Sequence, residues 1–299
     1  MPARPSPAAT NATRRVVVAV ALGLLADAGV RSTAAAQAAP DPALAAAKAA
    51  WERHPADVDS IVWYGRRVGY TGDFPAAIAI YTEGLRLHPD EPHLLRHRGH
   101  RYISVRDFPA AIADLERARA AVAGQPDEVE PDGQPNARGI PTSTLHSNIR
   151  YHLALAYYVT GAYARALPIW AEDARTAGNV DQRVAATYWW VLTLAQLGRY
   201  MEATRTLAQV RTDWDVIENG SYHRLLLWMK GEITEDALLP PTASVLERQT
   251  IGNGIGQWYA ATGRRMQARA AWDAVLATGP SASFGYIAAE QAVARLGAR

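Results

Sequence analysis

The sequence predicts an all-α solenoid of about five helix pairs, opened by half a pair and closed by a capping helix. Three observations predict it. The phrase Asp73-Phe74-Pro75-Ala76-Ala77-Ile78-Ala79 returns unchanged as Asp107-Phe108-Pro109-Ala110-Ala111-Ile112-Ala113, 34 residues later. A fixed period of that length marks a stack of supersecondary units, none of which buries its apolar face alone. Apolar residues fall at helical spacing within each unit, and Gly72, Gly161, Gly198 and Gly263 punctuate the helix pairs. The 299 residues then need not form one ball, because the core of such an array grows lengthwise.

Residues 1–36 read as a secretion signal. Arg14-Arg15 precedes the apolar run Val16 to Ala26, Asp27 ends it, and Ala34-Ala35-Ala36 offers a cleavage site before Gln37. The run is about half of the ~20 residues that span a bilayer, so length favours a cleaved signal over an uncleaved anchor. Val16-Val17-Val18 after the arginine pair fits the general secretory route better than twin-arginine export. This stretch also sets the formal net charge of +2: four arginines against one aspartate leave −1 for the remainder. A near-neutral body gives no electrostatic basis for a nucleic-acid or anionic-membrane partner. There is no cysteine, which excludes a lipid-anchored bacterial lipoprotein and leaves the core alone to hold an exported fold. The expected location is periplasmic or secreted.

Residues 37–57 supply one capping helix, Pro42 to His54, with Leu44, Ala47, Ala50 and Trp51 at helical spacing. Units one and two occupy 58–123. In the first, Asp73 is placed to cap the second helix and Pro75 sits in its first turn, where a missing N–H costs nothing. Units three and four occupy 144–217. An atypical helical pair is expected over 218–248, ended by Pro240-Pro241, and 249–299 holds unit five and the closing helix Phe284 to Leu296.

The residues that recur resemble the tetratricopeptide repeat (TPR) pattern of bulky, small, aromatic, alanine, aromatic and closing proline. In the first unit Ile61, Tyr64-Gly65, Val68, Ala77, Tyr81 and Pro89 take those places, and in the second Leu95, Gly99, Tyr102, Ala111, Leu115 and Ala118. Unit three offers Leu153-Ala154, Tyr157, Ala166 and Trp170; unit four Trp190, Leu194 and Ala203; unit five Gly256, Tyr259, Ala268 and Trp272. The resemblance spans residues 40 to 297 and implies a right-handed superhelix whose first helices line a concave, ligand-binding groove.

On that resemblance the groove residues are Arg66 and Tyr70 in unit one; His93, Arg96 and His100 in unit two; Asn148, Tyr151 and Tyr158 in unit three; and Tyr188 in unit four. Gln196, Asn253 and Gln257 give the far end an amide character. Arginine forks bind carboxylates with paired, charge-assisted bonds. The functional expectation is a non-enzymatic exported scaffold that holds a protein or peptide partner, with an anionic group of the partner read by arginine and histidine. Residues 124–143 form an acidic, proline-rich insertion with Asp127, Glu128, Glu130 and Asp132. Loops this long within compact folds are often functional, and this one is expected either to dock on those arginines and mask the groove or to stand free.

Two alternatives stand beside the scaffold. His93, His97 and His100 share a helix face, with His152 in the next first helix, which suits an enzyme or enzyme subunit with a histidine site. The surrounding arginines disfavour a dication there, so no metal or other cofactor is expected. Gly252-Asn253-Gly254-Ile255-Gly256 lacks the βαβ context of a dinucleotide fingerprint. The other alternative is an architectural subunit of an envelope complex.

Overall fold

The computed structural model describes residues 41–297; the secretion-signal reading of residues 1–36 lies outside them. Among the described residues there are thirteen α-helices. Helix α1 (Pro42–Arg53) stands alone. Four pairs follow: α2 (Val58–Tyr70) with α3 (Phe74–Leu87), α4 (Pro92–Ser104) with α5 (Phe108–Ala121), α6 (Leu145–Val159) with α7 (Tyr163–Thr176), and α8 (Val180–Gln196) with α9 (Tyr200–Leu207). Then come α10 (Gly220–Lys230), the pair α11 (Val245–Ala261) and α12 (Arg265–Leu276), and α13 (Phe284–Gly297). The fold is an all-α solenoid of TPR-like helix pairs, each element packed on its sequence neighbours.

Local chemistry accounts for the starts. Asp57, Asp73 and Asp107 accept hydrogen bonds from the backbone N–H of Ser60, Ala76 and Ala110 at 2.8, 3.0 and 3.2 Å, satisfying donors that a helix N-terminus leaves free. Ser244 and Glu247 form a reciprocal capping box on α11. The segment expected to hold a second atypical helical pair, 218–248, contains only α10 and a 3₁₀ turn, Glu235–Ala237. Gly231 ends α10 in the left-handed region, and the Pro240-Pro241 step lacks the N–H groups that a second helix would need.

The repeat's small residues explain how closely the helices pair. Ala77 and Ala111 are fully buried. A Cβ on Gly65 would overlap the Tyr81 ring, and one on Gly99 would lie 2.7 Å from Leu115 Cγ. Larger side chains there would separate α2 from α3 and α4 from α5.

The array also curls back on itself. One hydrophobic core runs from Ile103 and Leu115 through Trp170 and Trp189 to Ile251 and Ile287, joining α4 to α13. Arg106, in the turn between α4 and α5, has φ +66, whereas the matching position of unit one is Gly72 at φ +90. Its guanidinium donates to Glu290 of α13 at 2.8 Å and to the carbonyls of Ser281 and Ser104. Arg295 of α13 donates to the Val159 carbonyl at the end of α6. A non-glycine residue in the left-handed region costs roughly 1–2 kcal/mol, and these contacts hold Arg106 there.

Candidate functional site

The insertion 124–143 has no helix and lies docked along the first helices. An isolated antiparallel bridge, Val129 with Thr144, pins its end beside α6. From this anchor its carboxylates reach the cationic residues of α2 and α4. Glu130, 4 % exposed, lies 3.2 Å from Arg96 Nε and 3.0 Å from His97 Nε2, and accepts from Asn148 Nδ2. Glu128 lies 2.8 Å from His93 Nε2, and Glu91 faces the other ring nitrogen at 2.7 Å. Arg66 donates to the Pro131 carbonyl at 2.8 Å and lies over the Trp63 ring. Gly133 packs on Tyr70, with no room for a Cβ. Farther along, Arg138 pairs with Asp215 and Asn136 donates to Glu218. The insertion therefore roofs the groove from α2 to the segment before α10.

Electrostatics follow from burial. Burial alone would raise the Glu130 carboxyl, but the Arg96 charge and the His97 and Asn148 donors hold it well below the usual carboxylate range. Arg96 meets Glu130 at ion-pair distance without good hydrogen-bond alignment, so that attraction is mainly one of charge. Arg96 donates to His97 Nδ1 at 2.8 Å. A guanidinium only donates, which leaves the proton of neutral His97 on Nε2, towards Glu130. Burial, reinforced by Arg96, pulls the His97 pKa well below its ordinary value. Burial and Arg101 do the same to His100, and burial with Arg96 brings His152 down to about 3. His93, beside Glu91 and Glu128, moves the other way.

Of the residues expected in the groove, Arg66, Tyr70, His93, Arg96, His100, Asn148 and Tyr151 lie under or beside the roof. Tyr158 and Tyr188 do not line a groove: both are fully buried. Tyr158 donates to Gln257 Oε1 at 3.1 Å, and Tyr188 stacks on Tyr222 with ring centroids 4.4 Å apart. The cause is the curl of the array. Helices α11 and α13 cover that stretch, and the expected amide-rich end becomes an internal network of Gln196, Asn253, Gln257 and the Ala288 carbonyl. The histidines also part: His93 faces glutamates, His97 faces Glu130, and His100 packs against the rings of His152 and Phe284 at 4.4 and 5.3 Å. Among the described residues no group of three or more His, Asp or Glu side chains is arranged to hold a metal ion.

What stays open is a cleft below the roof. A recess of about 380 Å³ is bordered by Arg96 and His100 of α4, Asn148, Tyr151 and His152 of α6, Gln182 of α8, Tyr222 of α10 and Phe284 of α13. Asp173 of α7, which Arg150 holds, and the loop residues Asp132, Glu218 and Asn219 also border it. It shares His100, Glu218, Asn219, Tyr222 and Phe284 with an adjoining recess of about 540 Å³ that runs towards Leu246 and Thr250. Trp189 Nε1 donates to Tyr151 Oη at 2.9 Å, and Tyr151 Oη pairs with Tyr222 Oη at 3.0 Å, which fixes both rings. Tyr222, Phe284, Gln182, Asp132 and Glu218 escape a reading that takes one repeat at a time, since four come from loops or from helices outside the regular pairs.

The structure defines a class: a helix-pair solenoid curled around a roofed cleft. Known proteins place it no further by sequence, because no family model and no curated protein matches it. Solved structures similar to it in fold are TPR proteins, all distant. One is YrrB, a TPR protein with an unusual peptide-binding site (TM-score 0.45, 16 % identity, 83 % of this chain and 100 % of that chain). Another is a tetratricopeptide repeat protein from Parabacteroides merdae (0.48, 16 %, 83 % and 90 %). A third is a putative kinesin light chain from Podosopora anserina with nearly identical TPR-like repeats (0.44, 16 %, 75 % and 95 %). No described helix is long and apolar enough to cross a membrane.

Proposed function

We propose that the chain is a non-enzymatic scaffold that holds an extended segment of a protein or peptide partner in the cleft beneath residues 124–143. The observation that carries this is the convergence of hydrogen-bonding side chains and ring faces from six helices on one recess of about 380 Å³. Packed helices present those groups with little ordering cost on binding. Of the expected anion readers Arg66, Arg96 and His100, the first two are held by the chain's own Pro131 carbonyl and Glu130, as His93 is by Glu128. His100 packs on the rings of His152 and Phe284. In this reading an acidic partner segment reaches the held cations by displacing the loop. On the reading of residues 1–36 as a secretion signal the scaffold works in the periplasm or outside the cell, and a mature N-terminus at Gln37 is the expected result of sequencing the exported protein.

Panning the full chain against a displayed random heptapeptide library tests the reading. Capture by the parent should fall on Phe284→Ala, which removes a ring from the cleft wall, and Glu130→Gln should add acidic peptides to the captured set. Capture that is indifferent to both substitutions would place binding elsewhere.

A further inference from the structure

Two carboxylates that border the cleft lack an ion-pair partner. Asp132 and Glu218 both border the recess, and neither has a basic group at ion-pair distance among the described residues. Glu218 accepts from Asn136 Nδ2 at 2.9 Å and from Thr142 Oγ1 at 2.5 Å. Those bonds orient its carboxylate without neutralising it. Asp132, half-buried, has no side-chain partner at all among the described residues. The nearby cations are Arg96, which Glu130 holds, Arg66, which donates to a carbonyl, and Arg101, which donates to the His100 ring. The charges that act on Asp132 itself are Glu218 and Glu130 against Arg66 alone, so around that carboxyl the negative charge predominates. Partial burial, with Glu218 beside it, pushes the Asp132 carboxyl above its ordinary value although Arg66 draws it down. Like charges gathered this way do not stabilise the fold.

A second observation is independent of charge. Gln182 is 9 % exposed, and its Oε1 accepts from the Gly178 N–H at 2.8 Å, which identifies the other amide atom as the donor. That donor, Nε2, belongs to a side chain bordering the same recess and has no hydrogen-bond partner among the described residues. A buried donor left unmade is costly, and the atom that relieves it is an acceptor such as a peptide carbonyl. Beside these groups stand the rings of Tyr222 and Phe284, whose faces attract cations.

We infer that the recess takes a lysine or arginine side chain of an extended peptide, with Asp132 and Glu218 as counter-charge, Tyr222 and Phe284 as ring faces, and Gln182 donating to the peptide backbone. The inference rests on the cleft being a peptide site and names the residue class it selects. In the parent the cations of the groove are occupied from within, so the selectivity left to a partner is for positive charge.

The heptapeptide panning decides it. The parent should enrich Lys and Arg over the input library. Asp132→Asn should abolish that enrichment and weaken a selected peptide roughly tenfold. The melting midpoint of that variant should not fall, because the side chain has no internal partner to lose. Gln182→Ala, an uncharged change, should weaken basic and neutral peptides alike. Capture without basic enrichment, or with acidic enrichment, overturns the inference and leaves the scaffold reading standing. Basic enrichment that survives both Asp132→Asn and Glu218→Gln also overturns it, since the attraction would then lie outside the recess. No capture by the parent overturns the scaffold reading, and this inference with it.

Discussion

Arg106 shows how a single residue departs from its repeat for a reason. The phrase beginning Asp73 follows a glycine, whereas the one beginning Asp107 follows an arginine held at φ +66. Its side chain bridges to Glu290 and Ser281, so the departure trades backbone comfort for a contact across the array. Arg106→Ala should lose the bridge and keep the strain, while Arg106→Gly should lose the bridge but relieve the strain. The glycine variant is therefore expected to be more stable than the alanine variant by about 1 kcal/mol, measured by urea unfolding. At the packing positions the expectation is simpler. Ala111 is fully buried beneath α4, and Ala111→Leu should cost ~1–3 kcal/mol through overpacking. A leucine variant with the parent's denaturation midpoint would mean that Ala111 does not lie at the helix contact. These packing residues were legible because they recur at a fixed period. Arg106 was visible as an exception, but its partner, 184 residues away, was not.

Among the elements, the insertion is the one whose place depended on chemistry more than on pattern. Its acids and the facing arginines were both readable, and docking was one of two outcomes the sequence allowed. Glu130 ties it down. Removing that carboxylate leaves Arg96 buried beside nothing negative, a change that costs on the order of 3–5 kcal/mol if the site stays shut. Release of the loop, which returns Arg96 to water, is the cheaper response. Glu130→Ala should therefore raise proteolytic cleavage within residues 124–143 while the global melting midpoint moves little. Unchanged resistance to cleavage would mean that Glu130 does not fasten the roof. The segment 218–248 was harder to read, since an apolar stretch followed by paired prolines fits a second helix as well as a turn until the neighbours are in place. Gln182, Asp132 and Glu218 were illegible for a related reason. They lie on one face only because an insertion and an irregular segment approach each other across α6 and α8.

For the whole molecule the buried histidines set a pH response. His97, His100 and His152 have depressed pKa values in the fold and ordinary ones, about 6.5, once unfolded. Below about pH 6.5 unfolding thus takes up protons at these sites, approaching three, and stability falls as the pH falls. Asp173, pushed up to about 7 by burial in spite of Arg150, opposes this, because its contribution is lost as the pH rises from the ordinary aspartate value towards 7. Half-buried Asp132 adds a smaller term of the same sign. His93, raised beside Glu91 and Glu128, opposes it as well near and above its ordinary value. The three depressed histidines outweigh these groups, so the net effect of acidification below about pH 6.5 is a loss of stability. Below about pH 4.5 the depressed Glu130 carboxyl adds to the loss, since its stabilisation is present above that value and fades below it. Thermal melts at pH 7.5 and 5.0 should show the midpoint dropping on acidification, and a triple His97→Gln, His100→Gln, His152→Gln variant should flatten the dependence. A midpoint that rises on acidification would mean that the carboxylates dominate.

The bridge from Arg106 to α13 bears on how such a chain can change in length. An open stack accepts another repeat anywhere, because each unit meets only its neighbours. Here the last helix is fastened to the second and third pairs, by Arg106 and by Arg295 at the Val159 carbonyl. A unit duplicated between α6 and α11 would carry α13 past its seat and strand both arginines, whereas one added ahead of α2 would leave that closure untouched. Growth by duplication is open on one side of the molecule and barred on the other, as in a chain whose clasp is already shut.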